Sequence, residues 1–517
     1  MEELNELISK LNKKEISLIA NYLEHLTLKK KEDSKMMMFY NFLVKRSRKD
    51  PSAHECANYV YGKNADGKFR MLKSKMRSRI LDALVMDKNI SASFKGDSSL
   101  ALSLRARKRV MDLNYIIFSK GVLSIVPELI DEIVAIGIKY ENYSSILEAL
   151  KLKKYLKGFT KNLEEFLETN KRIAFYEYCD QAKGRAADHY YKLIARKDFQ
   201  SSWSPTVIEK YLQEAIIELK RDFKYTQSGF VGYYLKILEI AYFQNQDDYM
   251  AARNSSVELL SIIKKYTSVY RKERVAIAFD NIGECDIFLC DFERAVSNFR
   301  SAQAIFPKHS QNLVLAQEME FKALFYWNKF EETGKALARL KGEIDMSIGD
   351  FRISKYSFYH ACILFKQGNY KDALREVSQH LELSKDKAGW DIALRVLGIM
   401  CNLEMERMDE AALQEESLRK HIDRLKKEKQ EISQRDILIG RVLHESAKKG
   451  FMFSSLPAKT IEKIQALAGS DKKYRWQPLI PEMIPFHAWI AEKAKLQLPK
   501  PRVEKSVKRK LKKVNLN

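Results

Sequence analysis

At 517 residues, the chain is much longer than one average domain, and its 45% hydrophobic content is enough to bury a core. Gly (19) and Pro (10) are scarce and no run of alternating β-branched residues occurs, which excludes a β-sheet fold and leaves an all-α one. The net charge of +23 is uneven: residues 1–110 carry 24 Lys/Arg against 13 Asp/Glu, and residues 500–513 carry eight against one, so the ends are basic and the middle is near balance.

The first stretch, MEELNELISKL, is acidic and amphipathic, unlike a signal or transit peptide. Leu4, Leu7, Ile8 and Leu11 share one helical face, and a second helix over 15–26 turns Ile16, Ile19, Ala20 and Leu23 inward. Met36–Val44 continues the pattern, with the run Met36-Met37-Met38 read as core. Asp50-Pro51-Ser52 opens another helix, with Pro51 suited to its first turn. After the turn 64–67, a helix over 69–87 places Phe69, Leu72, Met76, Ile80 and Leu84 inward, with Ala83 beside them. Arg70, Lys73, Lys75, Arg77 and Arg79 lie off that stripe. These elements form a basic helical module, residues 1–95.

Residues 96–228 read as a degenerate array of helical hairpins entered through the polar linker 89–99. Leu100–Phe118 is one helix and contains Arg105, Arg107, Lys108 and Arg109. The apolar stretch 121–138 is broken by Pro127, Glu128, Asp131 and Glu132, which makes it an amphipathic helix and not a membrane span. Tyr143–Tyr155 pairs with it. Residues 162–195 form one extended helix or two, and Ser204-Pro205 opens the next.

From 229 to 425 the pattern repeats, most clearly over 276–309. Phe279, Ile282 and Gly283 mark a first helix. Phe292, Ala295, Phe299 and Ala302 mark a second, alternating large and small residues on one face, and Pro307 closes the unit. Gly in a helix interior costs about 1 kcal/mol, which is reasonable where another helix must come close. Tyr370 and Ala373 open another second helix, with Ala361 near the first-helix glycine position. Weaker copies surround Tyr249, Phe330 and Met408. The turn aromatics Tyr249, Phe292, Phe330 and Tyr370 are 43, 38 and 40 residues apart. This pattern resembles the tetratricopeptide (TPR) repeat, a 34-residue helix–turn–helix unit, with longer helices or loops here and with Asp286 standing where the family has tyrosine. The resemblance implies an α-solenoid whose concave groove holds a protein or peptide partner. A helical head followed by such repeats is also similar to the layout of peptide-sensing bacterial regulators, although no clear helix-turn-helix is found in residues 1–95.

Residues 426–498 read as capping helices. The charged stretch 414–429 is expected to be a solvated helix, and the proline-broken segment 476–485 to pack extended against the cap. Residues 499–517 are expected to be a disordered basic tail. Lys508, Arg509, Lys510, Lys512 and Lys513 there, with the module's Arg70, Lys73, Lys75, Arg77 and Arg79 and with Arg105, Arg107, Lys108 and Arg109, are the candidate phosphate-backbone contacts.

No phosphate-binding loop, HExxH or GxSxG occurs, and no His/Cys set has zinc spacing. The six cysteines form no CxxC pair and read as small core residues in a reducing cytoplasm. The sequence therefore points to a non-catalytic scaffold without cofactor or metal, binding a partner in its groove. The alternative is a nucleic-acid-associated regulator that uses its basic ends.

Overall fold

The computed structural model describes residues 1–27, 31–46, 51–62, 66–85, 98–121, 123–159, 162–198, 205–342, 350–378 and 383–498. Among them there is no strand, and the chain divides into two compact units, Met1–Ile136 and Gly137–Asn517.

In the first unit, α1 (Glu2–Lys10), α2 (Lys13–Thr27), α3 (Lys31–Lys45), α4 (Ala53–Tyr61) and α5 (Asp66–Val85) enclose one core. Ile8, Ile19, Leu23, Phe39, Met76 and Ile80 are fully buried in it, as the spacing of the sequence requires. Met36 joins that core while Met38 is exposed. Pro51 stands before the cap, not in the first turn of α4. Ser52 is the N-cap, its hydroxyl accepting from Glu55 N–H while the Glu55 carboxylate accepts from Ser52 N–H. α6 (Ser98–Tyr115) runs into a π-helical turn, Ile116–Lys120, and α7 (Val126–Tyr140) follows.

The second unit continues with α8 (Tyr143–Phe159), α9 (Leu163–Asp198) and α10 (Pro205–Thr226). α9 is a single helix of 36 residues. Five hairpins follow: α11 (Gly229–Asn245) with α12 (Tyr249–Lys265), α13 (Lys272–Phe288) with α14 (Phe292–Gln303), and α15 (Gln311–Tyr326) with α16 (Phe330–Gly342). The last two are α17 (Asp350–Lys366) with α18 (Tyr370–Val377) and α19 (Trp390–Glu404) with α20 (Met408–Lys427). α21 (Gln434–Ala447), α22 (Ala458–Ala468) and α23 (Phe486–Lys493) complete it.

One turn geometry is used in all five hairpins. Asp247, Cys290, Asn328, Gly368 and Glu406 each adopt a left-handed backbone, with φ of 60, 58, 59, 82 and 59°. The following amide donates back to the carbonyl five residues earlier: Asp248 to Phe243, Asp291 to Asp286, Lys329 to Leu324, Asn369 to Leu364 and Arg407 to Asn402, at 2.9–3.0 Å. This bond ends the first helix and aims the chain back along it. The residue after it starts the second helix, so Tyr249, Phe292, Phe330, Tyr370 and Met408 are equivalent positions. In two hairpins the cap is an aspartate: Asp248 accepts from Ala251 N–H and Asp291 from Arg294 N–H.

Within α13/α14 the repeat pattern packs as its residues dictate. A Cβ on Gly283 would lie 2.9 Å from the Phe299 ring, so only glycine lets the second helix seat that ring. Ala295, Phe299 and Ala302 are fully buried, whereas Phe279 and Phe292 are half-buried against the core edge. Tyr370 is half-buried likewise and Ala373 is buried. Burial of a ring such as Phe299 contributes about 1.5–3 kcal/mol. α14 ends at Gln303, ahead of the exposed Pro307, which bars continuation of the helix without being its last residue. Asp286 is fully buried and holds two neighbours, accepting from Arg253 Nε at 2.5 Å and Asn298 Nδ2 at 2.9 Å. The charged stretch after 414 is not fully solvated: it belongs to α20, which buries Glu415, Leu418, His421, Ile422 and Leu425.

Candidate partner-binding face

The first helices of successive hairpins form one face of the array. Residues two apart on α15 show this, because they point to opposite sides. Glu320 accepts from Arg300 Nε (2.7 Å) on α14 and Arg339 Nη2 (3.0 Å) on α16, both second helices. Glu318 accepts from Lys355 Nζ (2.8 Å) and Tyr359 OH (2.7 Å) on α17, the next first helix. The Phe321 and Tyr359 rings stack at 4.7 Å between the same two first helices.

The turn register aligns residues along this face. Phe292 and Phe330 are 38 apart, and so are Ile277 and Leu315, Asp280 and Glu318, and Glu284 and Lys322. Positions i, i+3 and i+7 share a helical face. On α13 and α15 that face therefore reads apolar, acidic, charged. Ile277 and Leu315 are both 40% exposed, too much for core residues. Asp280 Oδ1 is shielded from solvent yet has no hydrogen-bond partner, and burial together with Glu284 pushes its carboxyl up to about 7. Burial lowers the ammonium pKa of Lys322, partly offset by Glu318.

Carried onward, the same register reaches Phe358 and Cys362 on α17, then Val396 and Met400 on α19, all buried and apolar. These residues are covered by the chain's own non-helical segment, 472–485. Pro481, Met483 and Ile484 line a cavity together with Phe358, Cys362, Val396 and Met400. Upstream, Trp476 packs edge-on to Tyr326 at 5.3 Å, and Tyr326 OH donates to Pro478 O at 2.5 Å. Lys472 and Arg475 reach Asp247 in the first hairpin turn at 2.7 and 2.9 Å. The expected packing against the cap is also present, since Glu482 pairs with Arg435 of α21, but the segment is not extended throughout: it turns at 472–474 and again at 478–479. The same segment thus bridges the cap and the first-helix face.

The expected phosphate contacts are distributed differently. On α5, Arg70, Lys75 and Arg77 are exposed, Lys73 is half-buried, and Arg79 lies 3.5 Å from Tyr22 OH and 3.8 Å from Asp82. On α6, Arg105 (3.2 Å) and Arg109 (3.4 Å) share Glu132, and Arg109 also meets Asp112 at 3.3 Å. Arg107 is exposed and Lys108 half-buried. Phosphate at Arg105 and Arg109 would have to displace Glu132. Lys508, Arg509, Lys510, Lys512 and Lys513 lie outside the described residues.

Sequence reading missed Asp280, Glu284, Glu318 and Lys322. The signal was the 38-residue interval itself, which extends from the turn aromatics to every equivalent position once the register is fixed. Among the described residues no group of three or more His, Cys, Asp or Glu could hold a metal ion, and no helix is long and apolar enough to cross a membrane. Five cysteines are buried and Cys290, in a turn, is exposed.

The hairpins, their common turn and their glycine-to-phenylalanine crossing make the chain a TPR-like helical-repeat protein with an all-α fold. No family model matches it, and no curated protein does. Among solved structures, it is similar to a signal transduction ATPase with numerous domains (STAND) protein with a tetratricopeptide repeat sensor from Pyrococcus horikoshii. The identity is 14% and the TM-score 0.40, over 82% of this chain. This chain spans 66% of that protein's length.

Proposed function

We propose that the chain is a non-catalytic scaffold that holds an extended segment of a protein partner on the first-helix face of α13 and α15. One observation carries this reading: the chain's own non-helical segment 472–485 already lies over the apolar end of the face, while Ile277 on α13 and Leu315 on α15 remain exposed. There, Ile277 and Leu315 are exposed, and Asp280, one turn from Ile277, has a shielded oxygen without a hydrogen-bond partner. An extended segment bearing a Lys or Arg beside an apolar side chain satisfies all three, because a charge-assisted hydrogen bond removes the cost of leaving Asp280 desolvated. Peptides laid along repeat arrays use such alternation of pockets and charges.

The test is partner capture with charge reversal. Asp280→Lys with Glu284→Lys should abolish capture of the protein partner, with unchanged helical circular dichroism. Removal of residues 499–517, or Lys75→Glu with Arg77→Glu, should leave it intact, with and without nuclease. Capture that survives the first pair of changes removes the partner from this face, and capture that vanishes with nuclease rules the scaffold reading out in favour of nucleic-acid binding through the basic ends.

A further inference from the structure

Below the segment 480–484 lies a cavity of about 200 Å³, walled by Cys362 of α17, Val396 and Met400 of α19, Ile439 of α21 and Ile484 of the segment. Its lining is mostly apolar, with Ser433, Asp436 and Glu482 as the polar side chains. The exception that matters is Asp436, near the start of α21. No hydrogen bond to its carboxylate is found among the described residues.

Its sequence neighbour cannot neutralise it. Arg435 has five N–H donors, and every one is spent. Nε and Nη2 grip the two oxygens of Glu482 at 2.5 and 2.8 Å, and Nη2 also meets His487 Nδ1 at 3.0 Å. Nη1 donates to Leu467 O at 2.9 Å and Tyr474 O at 2.5 Å. Glu482 is equally committed, its Oε1 also accepting from Phe486 N–H at 2.7 Å. Asp436 is left beside a satisfied ion pair with no cation of its own. Burial and the Glu482 charge push its carboxyl up to about 7, against the partial help of Arg435.

We infer that this cavity is a binding site for a small primary amine with an apolar body, its ammonium on Asp436 and its hydrocarbon between α17, α19 and α21. An apolar cavity of about 150 Å³ already accepts benzene, so an aromatic ring with a short aminoalkyl arm fits the space. An apolar chamber with one convergent charged group is the usual form of a small-molecule site. Amine binding supplies the counter-charge that the fold withholds from Asp436. It also braces the segment 480–484 against α17 and α19, independently of any partner on α13 and α15.

Calorimetric titration of the full chain tests this, with 2-phenylethylamine, neutral ethylbenzene and anionic 3-phenylpropionate as probes. The amine is expected to saturate one site and to bind more tightly than ethylbenzene, and the anion not to bind. Asp436→Asn should weaken the amine about ten- to a hundred-fold, the loss of one charge-assisted hydrogen bond, and leave ethylbenzene unchanged. Val396→Phe, which fills the chamber without touching the acid, should remove binding of both. No binding of the amine to the wild-type chain overturns the proposal. So does amine affinity equal to that of ethylbenzene, or amine affinity unaffected by either substitution.

Discussion

Gly283 and Phe299 show how one missing atom organises a repeat. The ring is fully buried and cannot swing aside, so a methyl at Gly283, 2.9 Å away, forces the helices apart. Overpacking of this kind costs about 1–3 kcal/mol, more than the roughly 1 kcal/mol that alanine gains in helix propensity. Gly283→Ala should therefore lower the urea midpoint, and the loss should shrink in a Phe299→Leu background, where the ring is gone. Asp280 carries a different signature. Its folded carboxyl titrates near 7, well above the ordinary carboxylate range, because burial and Glu284 disfavour the charge. Between that ordinary range and pH 7 the folded state binds more protons than the unfolded one, so this group's contribution to stability falls as pH rises through the window. Asp280→Asn removes that slope. Unfolding midpoints at pH 5 and pH 8 should show the variant gaining on the wild type at the higher pH, whereas parallel profiles would mean that Asp280 is solvated.

At the scale of elements, the hairpins were legible and the segment crossing them was not. Phe292, Ala295, Phe299 and Ala302 announce their helix because small and large residues alternate at helical spacing. The turns could be placed because a helix must end before its chain reverses. Their common left-handed residue was hidden, since only Gly368 advertises it; Asp247, Cys290, Asn328 and Glu406 adopt the same backbone without being glycine. The prolines of 476–485 made the segment legible as non-helical and packed against the cap, but neither its turn at 478–479 nor its contacts with the first-helix face could be read. The partners of Lys472, Arg475 and Glu482 lie on elements distant in sequence, and no periodicity encodes such pairings. Arg435 and Glu482, both buried, fasten it. Glu482→Ala leaves a guanidinium buried without its counter-charge, a loss of about 3–5 kcal/mol. Thermal unfolding should show a large fall in midpoint, and tryptophan fluorescence from Trp476 should report release of the segment.

For the whole molecule, charge and register point in different directions. The two basic ends dominate the net charge of +23, yet the structure commits Arg105 and Arg109 to Glu132 and does not describe the tail. Within the array, the register that the sequence displayed in its turn aromatics also lines up Ile277 with Leu315 and Asp280 with Glu318. That alignment was available from spacing alone. Its meaning was not, because whether an acid at such a position is paired or left without a partner depends on contacts between hairpins. Glu318 is matched by Lys355 and Tyr359; Asp280 Oδ1 is left with none.

The most direct test of this account is site-specific photo-cross-linking in cells. A photoreactive side chain placed at Ile277 or at Leu315 should trap one and the same protein partner, and the yield should fall when Asp280 is changed to Lys. The same group at exposed Arg294, on second helix α14, should trap nothing comparable. Equal cross-linking from all three positions, or a partner trapped only from α14, would contradict binding on the first-helix face.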